Sequence, residues 1–315
     1  MTPPISPPVP QQKSKSYKPL IPWVLLMVAG VGWGGSISLT KMAAEGGYHP
    51  MTLVFWQLLM AVIALGTWLA VKRTPLPVKP GHLAFYAIAG VLGTALPDSL
   101  AYYIAPNLPA GIISIVYELV PMMTFALAIV VRSEQFEWLR FGGIILGLIS
   151  VLMLIAPDFT SQPTGSAFWV FLLVITGFSY AVETVFATFY MPKKDNPLTL
   201  LTGMSIAALL TITPVMLITD IPFAIHDQIG APEQALVAST LIHIAAYAAL
   251  LYLIRHTGAV FSSQISYVVT LAGVLWGIII FSESHNMWTW GSLIVAIAGL
   301  ALVRQNDEDQ SSTER

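Results

Sequence analysis

Long apolar stretches dominate this chain and restrict it to one class of fold. Each is close to the roughly 20 residues that a helix needs to cross a bilayer. Hydrophobic residues make up 56% of the 315 residues and charged residues only 10%, against roughly 25% charged residues in soluble proteins. The sequence therefore predicts an all-α membrane protein with ten transmembrane helices, at about 21–41, 50–72, 82–104, 109–131, 140–156, 167–190, 197–219, 232–254, 259–281 and 288–304.

Several classes of function are excluded by what the sequence lacks. The chain has no cysteine, so disulfides, thiolate nucleophiles and cysteine metal sites are ruled out. It has no basic surface typical of nucleic-acid binding. We expect no cofactor, no metal site and no nucleic-acid partner, and no enzymatic activity.

Positive charge supports both the helix count and an orientation. If the N-terminus is cytoplasmic and ten helices alternate, the cytoplasmic segments hold 13 of the 14 Lys and Arg residues. The remaining one, Lys41, lies at the outer end of the first helix and is expected to extend toward the surface. This bias follows the positive-inside rule and predicts a multi-pass protein of the inner (plasma) membrane with both termini in the cytoplasm.

The two halves of the chain repeat one another. A shift of 149 residues places the Ser-Glu pair at 133–134 on the Ser-Glu pair at 282–283, and a shift of 147 places HPMTL at 49–53 on NPLTL at 196–200. Because each half has an odd number of helices, the second half enters the membrane in the opposite orientation, as is typical of secondary transporters. The predicted organisation is a disordered cytoplasmic tail at 1–20, five-helix repeats at 21–156 and 167–304, and a second cytoplasmic tail at 305–315.

Several short motifs occur in an order known from one family. They are Trp33-Gly34 in the first helix, Pro50 at the start of the second, Pro121 in the fourth, and the Ser-Glu pairs that follow the fourth and ninth helices. In these residues the chain resembles the drug/metabolite transporter (DMT) superfamily, EamA type. The resemblance implies two inverted five-helix repeats, a central substrate cavity and alternating access, with amino acids and other small metabolites as cargo, often exported. Gln57 stands where many relatives carry Arg.

Two carboxyl groups lie inside predicted helices, where an ionisable group is costly and is a candidate functional site. Glu118 lies in the fourth helix, three residues before Pro121, and Asp98 follows Pro97 in the third. Each is a candidate counter-ion for a cationic cargo or a proton carrier. The alternatives are that Glu118 is hydrogen-bonded to a neighbouring helix and that Asp98 caps backbone freed by Pro97. By the repeat offsets neither has an acidic counterpart, which favours a specialised role in one half.

Other polar and aromatic residues within the spans complete the candidate site. Glu183 and His243 are further candidates, with hydrogen bonding between helices as the alternative. Aromatic rings beside buried carboxylates favour an amino or quaternary ammonium group through cation–π attraction. The remaining candidates for substrate binding or proton coupling are Trp33, Tyr102, Tyr117, Tyr180, Tyr247, Gln264 and Tyr267.

The favoured function is a secondary transporter for an amino acid or an amine, with export favoured over uptake. We expect it to work as a monomer, with a small-molecule substrate and the lipid bilayer as partners and protons as a further candidate partner. The alternatives are a channel or receptor, and an intramembrane hydrolase suggested by Gly34-Gly35-Ser36 together with His243.

Overall fold

The computed structural model describes residues 20–313 apart from 133, 135, 161–165, 193, 227 and 228, with only the backbone described at 157–160, 251, 254–263 and 304–313. Within that part of the chain it is helical, without strands. The α-helices are α1 (Leu20–Ala44), α2 (Pro50–Lys72), α3 (Pro80–Gly90), α4 (Leu96–Ile104), α5 (Ala110–Tyr117), α6 (Leu119–Val130), α7 (Trp138–Thr160), α8 (Ser166–Tyr190), α9 (Pro197–Ile218), α10 (Ala231–Ser263), α11 (Ile265–Phe281) and α12 (Met287–Thr313).

The predicted transmembrane architecture is confirmed. Eight helical segments among the described residues are long and apolar enough to cross a membrane, and two shorter apolar helices cover Ile265–Phe281 and Met287–Val303. Pro80–Asn107, which contains α3 and α4, forms one such segment, and Ala110–Val130, which contains α5 and α6, forms another. These segments match the ten predicted spans in number and order.

The repeat is visible in how related helices begin. The His49 ring accepts a hydrogen bond from the Met51 amide at 3.3 Å, at the start of α2. Asn196, its counterpart under the 147-residue shift, accepts one from the Leu198 amide at 3.0 Å, at the start of α9. In both helices a proline follows the capping residue, where its fixed φ suits the first helical position and its missing N–H costs nothing.

A short π-helical segment, Val91–Ala95, separates α3 from α4 just before Pro97. Pro97 has no N–H to donate to the preceding turn, so the regular hydrogen bonding is interrupted there. The hydroxyl of Ser179 in α8 donates to the Leu92 carbonyl at 2.7 Å. Another helix therefore supplies a donor at membrane depth, beside the predicted site residue Asp98.

A second interruption divides α5 from α6 at Glu118. Pro121 cannot donate to the Tyr117 carbonyl four residues earlier, and the Glu118 amide donates instead to the Ile115 carbonyl at 3.2 Å, which tightens the turn. Pro121 is thus accommodated by a local break in the spanning helix, at which Glu118 lines the interior cavity.

Helices α7 and α12, the last of each repeat, meet through small residues. A Cβ atom on Gly143 would lie 2.5 Å from the Gly299 carbonyl oxygen, so only glycine allows this approach. Ser292 donates its hydroxyl to the Ser150 carbonyl at 2.8 Å across the same contact. Small residues at helix–helix contacts let backbones approach closely in membranes.

Two predicted boundaries differ from the structure. The backbone is helical through 255–258, where a loop was predicted. The chain nevertheless reverses direction between Leu253 and Ile265, because α10 packs antiparallel to α1 and α11 packs parallel to it. Helix α12 continues to Thr313, beyond the predicted end of the last span at 304. Neither stretch contains a proline, and a single glycine inside a helix is tolerated at a cost of about 1 kcal/mol.

Candidate functional site

A cavity of about 930 Å³ lies within the bundle and is lined by both repeats. Its size falls near the upper end of the range for small-molecule pockets, roughly 300–1,000 Å³. The cavity brings together nine of the eleven predicted site residues: Trp33, Asp98, Tyr102, Tyr117, Glu118, Tyr180, Glu183, His243 and Tyr247.

Asp98 is held by donors from two other helices. The Gln57 amide nitrogen in α2 donates to Asp98 Oδ2 at 2.7 Å, and the Tyr180 hydroxyl in α8 donates to Oδ1 at 2.7 Å. Tyr102 donates its hydroxyl to Gln57 Oε1 at 2.6 Å, which fixes the orientation of that amide. The side chain of Asp98 is thus directed across the cavity wall, toward α2 and α8, rather than capping backbone near Pro97.

Gln57 is a residue that the sequence-based list of site residues omitted. It links Tyr102 to Asp98 and lines the cavity. A neutral amide contributes donors to the carboxylate without cancelling its negative charge. The sequence signal was present, because Gln57 is a polar residue in the otherwise apolar middle of α2.

Aromatic and imidazole rings form a second polar group in the cavity. The Trp33 indole N–H donates to His243 Nδ1 at 2.9 Å, and the Trp33 and Tyr247 rings meet edge-on with centroids 6.5 Å apart. Since Nδ1 accepts this bond, a neutral His243 carries its proton on Nε2. The Trp33 contact therefore orients His243 as a potential donor to a bound molecule.

Glu118 joins the two repeats. Its side chain is 3% exposed, and Oε2 accepts a hydrogen bond from the Thr270 hydroxyl in α11. Under the 149-residue shift Thr270 is the counterpart of Pro121. The structure thus contains the inter-helix hydrogen bond of the structural alternative, while the same residue also lines the cavity.

Glu183 and a pair of tyrosines complete this wall. Glu183 packs against Gly93 in the π-helical segment, where an added Cβ would lie 2.8 Å from its Cγ. The Tyr117 and Tyr180 rings lie with centroids 6.0 Å apart at 70°. Glycine at position 93 therefore makes room for the carboxyl-bearing side chain beside the aromatic pair.

Two of the predicted site residues lie elsewhere. Gln264 forms the junction between α10 and α11, and Tyr267 packs on the main apolar core. Neither lines the cavity, whereas Ser266, Val269 and Thr270 of the same helix do. The sequence alone did not establish which residues of this helix face the cavity.

The expectation that Lys41 extends to the surface is wrong. Its side chain is buried, and Nζ donates to the Ala105 carbonyl at 3.0 Å and pairs with Glu45 at 2.9 Å. The Phe281 ring lies 5.5 Å away. Because the 3₁₀ turn at Ala105–Asn107 and the adjacent acid satisfy its charge, Lys41 ties α1 to the chain between α4 and α5.

The cavity extends further toward one end of the bundle than toward the other. We call that end, which carries the loops 73–79, 131–137 and 191–196, the basic end, and the other the opposite end. Glu134, Arg140 and Thr188 line the cavity near the basic end. Among the described loop residues at the opposite end, at 45–49, 105–109, 219–226 and 282–286, Ala105 alone contributes to its lining, and Ala105 is buried.

The charges around the cavity are unequal. Four carboxyl-bearing residues line it, namely Asp98, Glu118, Glu134 and Glu183. Among the lining residues of the described part of the chain, Arg140 is the one Lys or Arg, and it pairs with Glu134 at 3.3 Å and stacks on the Phe125 ring at 4.0 Å. Carboxyl groups therefore outnumber basic groups in the described lining of the cavity, which favours a positively charged ligand.

The model of the EamA-like transporter family matches residues 20–156 and again residues 167–305. The chain belongs to this family, within the DMT superfamily, and is a multi-pass membrane protein of the transporter class. It is 25% identical over 287 residues to a protein of Salmonella typhimurium named a probable amino-acid metabolite efflux pump, covering 88% of this chain and 84% of that protein.

Two further similarities extend this picture. An uncharacterized transporter of Bacillus subtilis, YdfC, is 26% identical over 163 residues, which cover 51% of each chain. One crystal structure superposes with a TM-score of 0.61 at 14% identity, over 90% of this chain and 97% of that one. At that identity the match establishes the fold alone.

Proposed function

We propose that this protein is a secondary transporter that exports an amino acid or a related amine from the cytoplasm by alternating access. The observation that carries the proposal is the Asp98 network. An ionised carboxylate has about four acceptor positions, and Gln57 and Tyr180 occupy two of them. An ammonium group of the cargo fits the remaining positions, beside the tyrosine rings that favour a cation.

His243 supports an amino acid as cargo. A zwitterionic molecule needs a donor for its carboxylate as well as an acceptor for its ammonium group. The Trp33 bond to Nδ1 leaves Nε2–H of His243 as such a donor, and both His243 and Asp98 line the cavity. The two groups are thus complementary to the two ends of an amino acid.

Charge and cavity shape together support the proposed orientation and direction. The positive-inside rule assigns the basic end to the cytoplasm, and the cavity reaches that end. In this conformation cargo enters from the cytoplasm, which suits loading for export through the inner membrane. The efflux-pump name of the Salmonella relative supports the same direction.

Protons are the proposed energy source. The sequence has no Walker A motif for direct use of ATP. The carboxyl groups of Glu118, Asp98 and Glu183 line the cavity, where they are accessible to protons carried with or against the cargo. Since the cavity lies within one chain, a monomer in the lipid bilayer is sufficient.

A counterflow assay in proteoliposomes tests this proposal. We expect labelled amino acid or amine to enter vesicles preloaded with the unlabelled compound, after a thermal-shift screen has identified which compounds stabilise the purified protein. Solute movement without trans-stimulation would indicate a channel instead. Stabilisation by organic anions such as sugar phosphates, and not by amines, would contradict the assigned role of Asp98.

A further inference from the structure

Glu183 lines the cavity, but the proposed contacts with the ammonium and carboxylate groups of an amino acid do not use it. Within the described part of the chain, no hydrogen bond or ion pair involves its carboxyl group. By contrast, Asp98 accepts two hydrogen bonds and Glu134 pairs with Arg140. A carboxylate shielded from bulk water is costly without a partner, so Glu183 is suited to a cationic group that the cargo itself supplies.

Two helical segments fix the position of Glu183 relative to Asp98. Glu183 packs against Gly93, where an added Cβ would lie 3.1 Å from its Cδ, and Asp98 follows five residues later on the same spanning segment. In α8, Tyr180 donates to Asp98 at 2.7 Å and precedes Glu183 by three residues. Both segments thus separate the two carboxyl groups by about 5–8 Å along the bundle. Because Gly93 precedes Asp98 on a segment that starts at the basic end, Glu183 lies nearer to that end.

An aromatic ring and the proposed carboxylate donor lie beside this second acid. Tyr247 of α10 lies close enough to Glu183 to interact with it electrostatically. His243 precedes Tyr247 by four residues in the same helix, so the two side chains share one helix face. Since the face of a tyrosine ring also attracts cations, Glu183 and Tyr247 together form a candidate second cation subsite.

We propose that Glu183 binds the side-chain cation of a basic amino acid, whose α-ammonium group lies at Asp98 and whose carboxylate is bound by His243. With ordinary bond lengths, the two ammonium nitrogens of an extended lysine lie about 7 Å apart, which matches the separation of the two carboxyl groups. A basic amino acid also offsets the excess of carboxyl groups in the cavity, whereas a neutral one does not. This inference rests on the proposed export of an amino acid and narrows the cargo to lysine-like compounds.

Lysine and norleucine provide the direct test, because norleucine differs from lysine only in lacking the terminal ammonium group. Affinity is measured by thermal shift on the purified full chain, and exchange by counterflow in proteoliposomes. We expect lysine to bind about 13- to 160-fold more tightly than norleucine, the ratio that one charged hydrogen bond provides.

Glu183→Gln separates a cation subsite from a proton carrier. Glutamine keeps the length of the side chain but removes its charge, so the affinity for lysine should fall by the same factor while the affinity for norleucine stays unchanged. Glu183→Asp retains the charge and should keep the preference for lysine. Asp220→Asn is the matched control, because Asp220 is exposed, does not line the cavity and has a φ of 53° that asparagine tolerates. It should leave both affinities unchanged.

Equal binding of lysine and norleucine to the native protein would overturn the inference, whether or not Glu183→Gln folds. Counterflow of both compounds would in that case still support the proposed export of an amino acid. An equal loss of affinity for both compounds in Glu183→Gln would indicate a general role of the carboxyl group, such as carrying a proton, and would also overturn the inference. If neither compound stabilises the protein or exchanges, the proposed function fails together with it.

Discussion

Asp98→Asn is the substitution that examines the proposed cargo site most directly. Asparagine keeps the size of the side chain but removes its negative charge and one acceptor oxygen. Gln57 and Tyr180 both donate to the native carboxylate, so one of these bonds is lost or rearranged. The substitution changes what the cavity offers to an ammonium group while leaving its shape nearly intact.

The size of the effect follows from the strength of a charged hydrogen bond. Such a bond contributes about 1.5–3 kcal/mol, which corresponds to a loss of affinity of about 13- to 160-fold. The loss should be the same for an amino acid and for the amine that lacks its carboxylate, because both present the ammonium group to Asp98.

Affinity is measured by thermal shift and by the concentration dependence of counterflow with purified protein. Ser99→Ala is the matched control, since the Ser99 hydroxyl bonds only the Ala95 carbonyl of its own helix among the contacts described and the residue does not line the cavity. Unchanged affinity in Asp98→Asn, with normal folding, would refute the assignment of Asp98 as the ammonium site.

Three further outcomes are expected. His243→Phe should lower the affinity for an amino acid by about tenfold in counterflow but leave the affinity for the corresponding amine unchanged, since it removes only a donor to the carboxylate. An equal loss of affinity for both compounds would contradict this role. Gln57→Leu should lower the affinity for both compounds by about three- to tenfold, because Asp98 loses one donor that positions it. Full rescue by Gln57→Asn would show that the amide group matters more than the length of the side chain. Gly143→Ala should lower the melting temperature without changing affinity, because its Cβ would clash with the Gly299 carbonyl and overpacking costs about 1–3 kcal/mol; an unchanged melting temperature would show that α7 and α12 separate at no cost.

The helices and their order could be predicted from the sequence because the bilayer imposes their length. The repeat could also be predicted, since capping pairs such as His49-Pro50 and Asn196-Pro197 are local signals that survive divergence. The break at Glu118 was marked by Pro121, whose missing N–H acts on the residues just before it.

Side-chain contacts between helices that are distant in the chain could not be predicted from the sequence. Trp33 and His243 are 210 positions apart, and Gln57 and Asp98 are 41 positions apart. Their pairing depends on the rotation of each helix about its axis, which a uniformly apolar span does not encode strongly. The same ambiguity explains why Tyr267 was placed in the site and Gln57 was left out.

The contact between α7 and α12 has the geometry of an interface between identical subunits. Under the 149-residue shift, the pair Gly143–Gly299 becomes Ser292–Ser150, and both pairs are in contact. In a two-fold homodimer the same surface of both subunits forms the interface, so each contact between two residues occurs twice. The α7–α12 contact has this self-complementary pattern. A five-helix ancestor inserted in both orientations would have formed this contact with its own copy, before duplication and fusion joined the two into one chain.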